Sequence, residues 1–431
     1  MLNSGFTTFF KEIRRMKQRR VVITGLGVVA PNGIGKDEFW SNLTAGKSAV
    51  DYITAFDPSS FPCKAAAEVH NFKPTDFISR KAKMMGRFSQ FAVAAARLSI
   101  EDARLDSHKL PTRLALCHGT SAQGLGDIGE TTHQTFLADG WKAMQGSSGL
   151  EFTAHAATAH VMGELNITGP TMTVASACCT GIDTIAWGVE QIRADVVDVA
   201  LVGATEAAIS EYILSFFAAG GYLSKWDGPP SKASRPYDLH RSGFVPAEAS
   251  GVLVVEELQH ALDRGAPIYC EILGYASASE GSANRRTDGY ATALEKALLK
   301  ALEASRLRPC DIDYVCSHGN SIVIEDQAEA SAYRATFSDH AYRVPISSIK
   351  SMLGQPFAAA GLMQATATAL AVKHGIIPPT INYEVPDPKC DLDYVPNFSR
   401  VARVRRALFH SHSLGGHLPG SHSAMIVACL S

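Results

Sequence analysis

The sequence predicts an α/β protein with buried sheets. Two observations carry this: short apolar runs bounded by glycine alternate with amphipathic helical stretches, and two halves of the chain echo each other in order. Val21–Ile23, Leu114–Cys117, Met172–Ala175, Val199–Gly203 and Val252–Glu256 are short and continuously apolar, as strands covered on both faces are. Phe88–Ala103 and Ile182–Arg193 read as helices; the second has apolar residues at 182, 185, 186, 189 and 192. Arg20–Gly27 (RVVITGLG) resembles the YCEILGYA stretch from Tyr269, and Cys117–Ser121 (CHGTS) resembles Cys316–Ser321 (CSHGNS), so an internal duplication is expected. Its junction falls near residue 260, where the helix-like Glu257–Arg264 precedes Gly265-Ala-Pro267. The predicted organisation is an extension over 1–16, a half over 17–260 carrying Cys178, and a half over 261–431 carrying His318, Lys350 and a Gly-Gly loop. The two halves are expected to pack as one unit, because no low-complexity linker divides them. Met16, opening MKQRRVVITG, reads like a natural start.

At 431 residues and 46% hydrophobic content the chain can fill a sizeable core. Lys+Arg number 40 against 42 Asp+Glu, a formal net charge of -2, which excludes a bulk electrostatic footprint for nucleic acid or a membrane surface. A local basic dock for an acidic protein remains compatible with this balance. Nine scattered cysteines match neither a disulfide framework nor a zinc pattern and predict reduced thiols. With no apolar run of roughly 18–20 residues and no signal-peptide core, the expected location is the cytoplasm.

Several segments carry candidate chemistry. Gly25-Leu-Gly27-Val-Val-Ala30 formally matches a dinucleotide fingerprint, but Pro31-Asn32-Gly33 would break the helix that receives the pyrophosphate, so a tight turn is the better reading. Val174-Ala-Ser-Ala-Cys178-Cys179-Thr180-Gly181 runs from a strand into a helix. A cysteine there sits on the positive end of the helix dipole, which favours thiolate. Small neighbours, and Gly181 in particular, would let a substrate approach Cys178, whereas Cys179 reads as packing. His318-Gly319 ends the strand-like run Asp313–Cys316, where an imidazole can reach a cleft. Lys350 is placed at the end of another strand, as a surface charge or drawn inward by Asp326 or Glu329. His410, His412, His417 and His422 flank a glycine turn before a closing strand Met425–Leu430. Their spacing fits no zinc pattern and no carboxylate is near them in sequence, so no metal is predicted.

Taken in series, these segments resemble the elongating branch of the β-ketoacyl-acyl-carrier-protein synthases from Met16 onward. The resemblance rests on the RRVVITGLGVVAPNG opening, the nucleophile turn at Cys178, Ser234–Asp238 with Gly243–Val245, the SHG histidine, SSIKSM, Pro378–Asn382, Cys390–Asn397 and the terminal Gly-Gly loop. It implies a five-layered αβαβα thiolase fold, usually dimeric, and decarboxylative condensation of an acyl group on Cys178 with a malonyl unit. His318 becomes the first catalytic histidine, Lys350, Asp326 and Glu329 a supporting charge network, and the backbone N–H groups of Cys178 and Leu414 the oxyanion hole, with Leu414 where a gating phenylalanine is usual. No cofactor is implied beyond the phosphopantetheine that arrives on an acyl carrier protein. Expected partners are that carrier, acyl and malonyl thioesters, and either a second copy or a related ketosynthase or chain-length factor.

Departures from the family pattern fall within this site. Gln355 replaces the second histidine, so the expected centre is Cys178, His318, Gln355 and Lys350. Asn320 and Ile322 replace the two threonines that hold the pantetheine arm, and Gln364 replaces the glutamate that pairs with the lysine. The terminal loop reads SHSLGGHLP in place of SFGFGGTNG, which puts His412 and His417 in position to compensate for the missing imidazole. These changes suggest a divergent member outside housekeeping fatty-acid synthesis. They also leave open a non-decarboxylating acyltransferase, a subunit active only beside a chain-length factor, or an inactive scaffold. A coenzyme A thiolase fits poorly, since Cys429 is placed inside the last strand with no glycine turn.

Overall fold

Each half of the chain builds the same five-stranded pattern. The computed structural model describes residues 19–78, 82–126, 128–281, 287–413 and 420–430, so the extension over 1–16 lies outside the described residues. The first half supplies β1 (Val21–Ala30), β2 (Leu114–Gly119), β3 (Thr171–Val174), β4 (Val199–Glu206) and β5 (Ala249–Glu257). The second supplies β6 (Cys270–Ser279), β7 (Tyr314–Cys316), β8 (Ile346–Ser347), β9 (Arg406–His412) and β10 (Ser421–Ala428). Their spatial order is β8-β7-β9-β10-β6-β1-β5-β4-β2-β3, which reads the same from either end when each strand is exchanged for its counterpart. In each half the three outer strands are parallel and the two inner ones antiparallel. The halves join where Val21–Ile23 pairs antiparallel with 270–272. The duplication glimpsed in RVVITGLG and YCEILGYA is therefore the pair of strands at the seam.

Helices cover both faces, which is why the strands are apolar without alternation. Helices α1 (Arg87–Asp102) and α2 (Ala156–Leu165) lie outside the first half-sheet. Helices α4 (Thr287–Ser305) and α5 (Val323–Phe337) lie outside the second. Helices α3 (Thr180–Arg193) and α6 (Ala360–His374) fill the space between the half-sheets, completing five layers. Helix α6 is buried continuously from Ala360 to Ala371. An apolar helix with no polar face belongs in the interior.

Three expectations need correction. Gly25 and Gly27 lie within β1, not in a tight turn. A Cβ on Gly27 would stand 1.8 Å from the Ala95 carbonyl oxygen, and one on Gly25 2.2 Å from that of Ser99, so both glycines let α1 pack directly on the strand. The closing strand runs over Ser421–Ala428, leaving Cys429 beyond it and exposed. Lys350 does not end a strand; it opens the one-turn helix Lys350–Leu353.

Candidate active site

Cys178 lies in a tight elbow between β3 and α3. Ala177 takes the left-handed region at φ 52°, and the turn Ala177–Cys179 leads straight into Thr180, so the sulfur is carried at the N-terminal end of α3. Side chains hold the elbow: the Ser176 N–H donates to Thr180 Oγ1 at 2.9 Å, and Asp183 accepts from Ser176, from Tyr275 at 2.8 Å and from Ser423 at 2.7 Å. Gly181 plays a part different from the expected one. A Cβ there would stand 2.5 Å from Leu362 Cδ2, and one on Gly361 would stand 2.7 Å from the Ile182 nitrogen. The two glycines let α3 and α6 cross closely, and that crossing sets the approach of the Gln355 segment to the sulfur. Cys179 is fully buried, donates to the carbonyls of Ser411 and Ser421, and has its thiol pushed far up by burial, consistent with packing.

Opposite the sulfur stand an imidazole and an amide. Gln355 Nε2 is 3.4 Å from Cys178 Sγ and 3.5 Å from His318 Nε2. Gln355 is 1% exposed and Cys178 3%, so these contacts form in a site largely shielded from solvent. His318, at the end of β7, is held far below the usual imidazole range, chiefly by burial and then by the positive fields of His412 and Lys350. Its Nδ1 lies 3.4 Å from each of Lys350 Nζ, Ser411 Oγ and the His412 N–H. Lys350 is buried and donates to the His318 carbonyl at 2.6 Å. Burial pushes this lysine down to about 8, against the upward pull of Glu329.

The supporting carboxylates have other partners than Lys350. Asp326 meets Arg241 at 3.1 Å and accepts from the backbone of Asn320 and Tyr237; burial raises it to about 6 while Arg241 opposes the shift. Glu329 accepts from the Gly319 N–H at 2.9 Å, from Tyr237 at 2.7 Å and from Tyr333 at 3.1 Å. Burial and the neighbouring Asp326 raise it to about 7. Gln364, in the place of the expected lysine partner, donates to the carbonyls of Cys316, Ser317 and His410, and accepts from Ser411 at 2.9 Å. It ties β7 to β9, and so positions His318 through the backbone.

Asn320 turns inward. Its Oδ1 accepts the Ile322 N–H at 3.0 Å, while Nδ2 donates to Glu325 at 2.7 Å and lies 3.4 Å from His318 Nε2. Ile322 is the N-cap residue of α5 and packs on the apolar cluster that contains Cys178, Phe244 and Phe357. His412 bonds Glu325 at 3.0 Å. Leu414 and His417 lie outside the described residues. Sequence reasoning missed Arg241, Tyr237, Tyr290 and Tyr333 as parts of this network. Tyr237 lay within a quoted family segment, but the others reach the site only through tertiary contacts. Glu329, expected in the charge network, faces His410, while Glu325 and Glu280, which the sequence did not bring to the histidine cluster, face His412 and His422. Even so, among the described residues no group of three or more His, Cys, Asp or Glu side chains is arranged to hold a metal ion.

The arrangement suits a thiol nucleophile facing two hydrogen-bonding groups at a site where charge develops. Family models decide the wider identity: the β-ketoacyl synthase N-terminal domain matches residues 18–261 and the C-terminal domain residues 269–384. The chain belongs to the β-ketoacyl synthase family. This ketosynthase is 37% identical to the tetracenomycin polyketide synthase ketoacyl synthase alpha subunit of Streptomyces glaucescens, over 96% of this chain and 98% of that one. It is 37% identical to 3-oxoacyl-[acyl-carrier-protein] synthase 2 of Coxiella burnetii, over 93% and 97% of the two chains. Among solved structures it resembles the ishigamide ketosynthase/chain length factor, with a TM-score of 0.88 and 32% identity over 96% of this chain and 100% of that one. Its five-layered architecture is thus the thiolase-type fold of the ketosynthases, and its activity is that of an acyltransferase. Among the described residues no helix is long and apolar enough to cross a membrane.

Proposed function

We propose that this ketosynthase condenses an acyl group held on Cys178 with a malonyl unit delivered by an acyl carrier protein, using His318 and Gln355 as its two hydrogen-bond donors. The observation that carries the reading is the placement of the Gln355 amide nitrogen within 3.5 Å of both the nucleophilic sulfur and His318 Nε2. The Cys178 sulfur attacks the acyl thioester, and its proton leaves with the departing pantetheine thiol. The malonyl carboxylate leaves as CO₂, and its bonding pair forms an enolate whose oxygen lies between the imidazole and the amide. The enolate carbon attacks the acyl carbonyl, and collapse of the tetrahedral adduct expels the Cys178 thiolate, which takes up one proton. An amide donates without titrating, so Gln355 serves the enolate as a donor but moves no proton. The apolar cluster of Phe217, Phe244 and Phe357 around Cys178 suits the acyl chain.

The phosphopantetheine of the carrier is the one prosthetic group this scheme uses, and it enters with the substrate. The carrier named in the Coxiella relative, and the subunit and chain-length-factor names of the polyketide relatives, support a carrier partner and pairing with a second copy or a related chain. Cys178 supports the reading of this chain as the catalytic member of such a pair. Nine cysteines scattered through the sequence without the spacing of a disulfide framework support a reducing compartment, the cytoplasm. Intact-protein mass spectrometry tests the core of the proposal: Cys178→Ala loses the acyl adduct from acyl-carrier protein, and persistence of that adduct refutes the nucleophile.

A further inference from the structure

Beside the Cys178–His318–Gln355 centre lies a second buried constellation that the reaction scheme does not use. Glu325 Oε2 accepts from His412 Nε2 at 3.0 Å and from Asn320 Nδ2 at 2.7 Å. The Asn320 amide has a fixed orientation, because its Oδ1 takes the Ile322 N–H. On the other side of the ring, His412 Nδ1 is 2.8 Å from the Tyr290 hydroxyl, which lies 3.4 Å from Glu329 Oε1. The ring stands edge-to-face against His318, with centroids 4.0 Å apart. His412 is 1% exposed and Tyr290 8%.

Both ring nitrogens of His412 therefore have an oxygen able to accept. Nε2–H donates to the Glu325 carboxylate, and Nδ1 meets a phenol oxygen that can accept from an Nδ1–H while its own O–H donates to Glu329. These contacts accommodate an imidazolium. Glu325 faces it directly and Glu329 through Tyr290, with Glu280 beyond His422, while Lys350 and the imidazoles of His318, His410 and His422 are the basic groups packed nearby. A family member with phenylalanine at 412 would have no such group. Here a histidine stands at the end of β9 in the same chain that has Gln355, a group that does not titrate, beside Cys178.

We propose that His412, held as a cation between Glu325 and Tyr290, is a positioning residue that keeps His318 neutral and adds to the decarboxylation step the positive charge that Gln355 cannot carry. Its role in that step rests on the condensation reading above. A fixed charge next to a developing enolate in a water-poor site acts without reorganisation.

The first test needs no turnover. Nitrogen-15 spectra of the full-length protein labelled at histidine, assigned with His412→Phe, are expected to show both His412 nitrogens protonated at neutral pH, and Glu325→Gln to remove that signature. A single-tautomer neutral His412 in the wild type overturns the proposal. In the second test, CO₂ release from malonyl-carrier protein is compared with acyl loading of Cys178. The ratio of decarboxylation to loading is expected to fall by about 10- to 100-fold in His412→Phe and in Glu325→Gln. An unchanged ratio overturns the assignment even where both rates drop, because general loss of structure lowers the two together. Wild-type protein that loads but releases no CO₂ overturns the condensation reading and the role in that step, while the spectra still decide whether His412 is the cation.

Discussion

In the proposed condensation, replacing Gln355 by leucine removes one donor from the enolate position and leaves the Cys178 nucleophile in place. In the resting site the amide contacts Cys178 Sγ at 3.4 Å and His318 Nε2 at 3.5 Å, both at the long limit of hydrogen bonding, so it contributes little before substrate binds. Its effect is concentrated where negative charge appears on the enolate oxygen. Loss of one such preorganised donor costs a factor of about 10² to 10³, or about 3–4 kcal/mol of barrier. Gln355→Leu is therefore expected to slow CO₂ release from malonyl-carrier protein by that factor, while acyl loading of Cys178 stays within about an order of magnitude of wild type. Both rates are read on one sample, CO₂ by trapping and loading by intact mass. Gln355→His retains a donor and adds a group that titrates, so it should keep condensation and introduce a new pH limb. Wild-type condensation by Gln355→Leu, or an equal loss of loading and decarboxylation, refutes the assignment of the amide to the enolate.

Three further outcomes follow from the buried polar groups and the tight contacts. His118 is fully buried, neither ring nitrogen has a hydrogen-bond partner among the described residues, and burial pushes it down to about 3. Its neutral form is favoured in the fold, so its contribution is complete above about pH 6.5 and is lost as pH falls toward 3. In urea titrations wild type should lose about 2 kcal/mol more than His118→Leu between pH 7 and pH 5, and equal losses would contradict this. Gln364→Leu strips a donor from the carbonyls of Cys316, Ser317 and His410, and should cost about 3–5 kcal/mol in urea unfolding and slow loading through displacement of His318. Gly27→Ala would drive a methyl group to 1.8 Å from the Ala95 carbonyl oxygen, and should destabilise by about 3 kcal/mol or more in the same assay; a small change would mean that α1 can move away.

The elements that were legible in the sequence are those whose signal is local. Val21–Ile23, Leu114–Cys117 and Val199–Gly203 fall inside β1, β2 and β4, because a strand covered on both faces must be apolar throughout. The amphipathic stretch after Cys178 is α3 nearly to the residue, since one face meets the sheet and periodicity survives. Helix α6 escaped notice for the converse reason: surrounded on all sides, it has no polar face and no period to read.

The order Cys178, His318, Lys350, Gln355 was sufficient to suggest a thiol-centred condensing enzyme, because nucleophile chemistry and family motifs are written in short contiguous runs. Which atoms meet was decided only by tertiary structure. Gly181 and Gly361, far apart in sequence, bring two interior helices into contact and set the sulfur beside an amide from a third segment. Lys350 binds the His318 carbonyl, Asp326 takes Arg241, and Glu325 takes His412, pairings that sequence proximity did not indicate. Burial then sets the charge states, since desolvation depends on everything packed around a group and not on its neighbours along the chain.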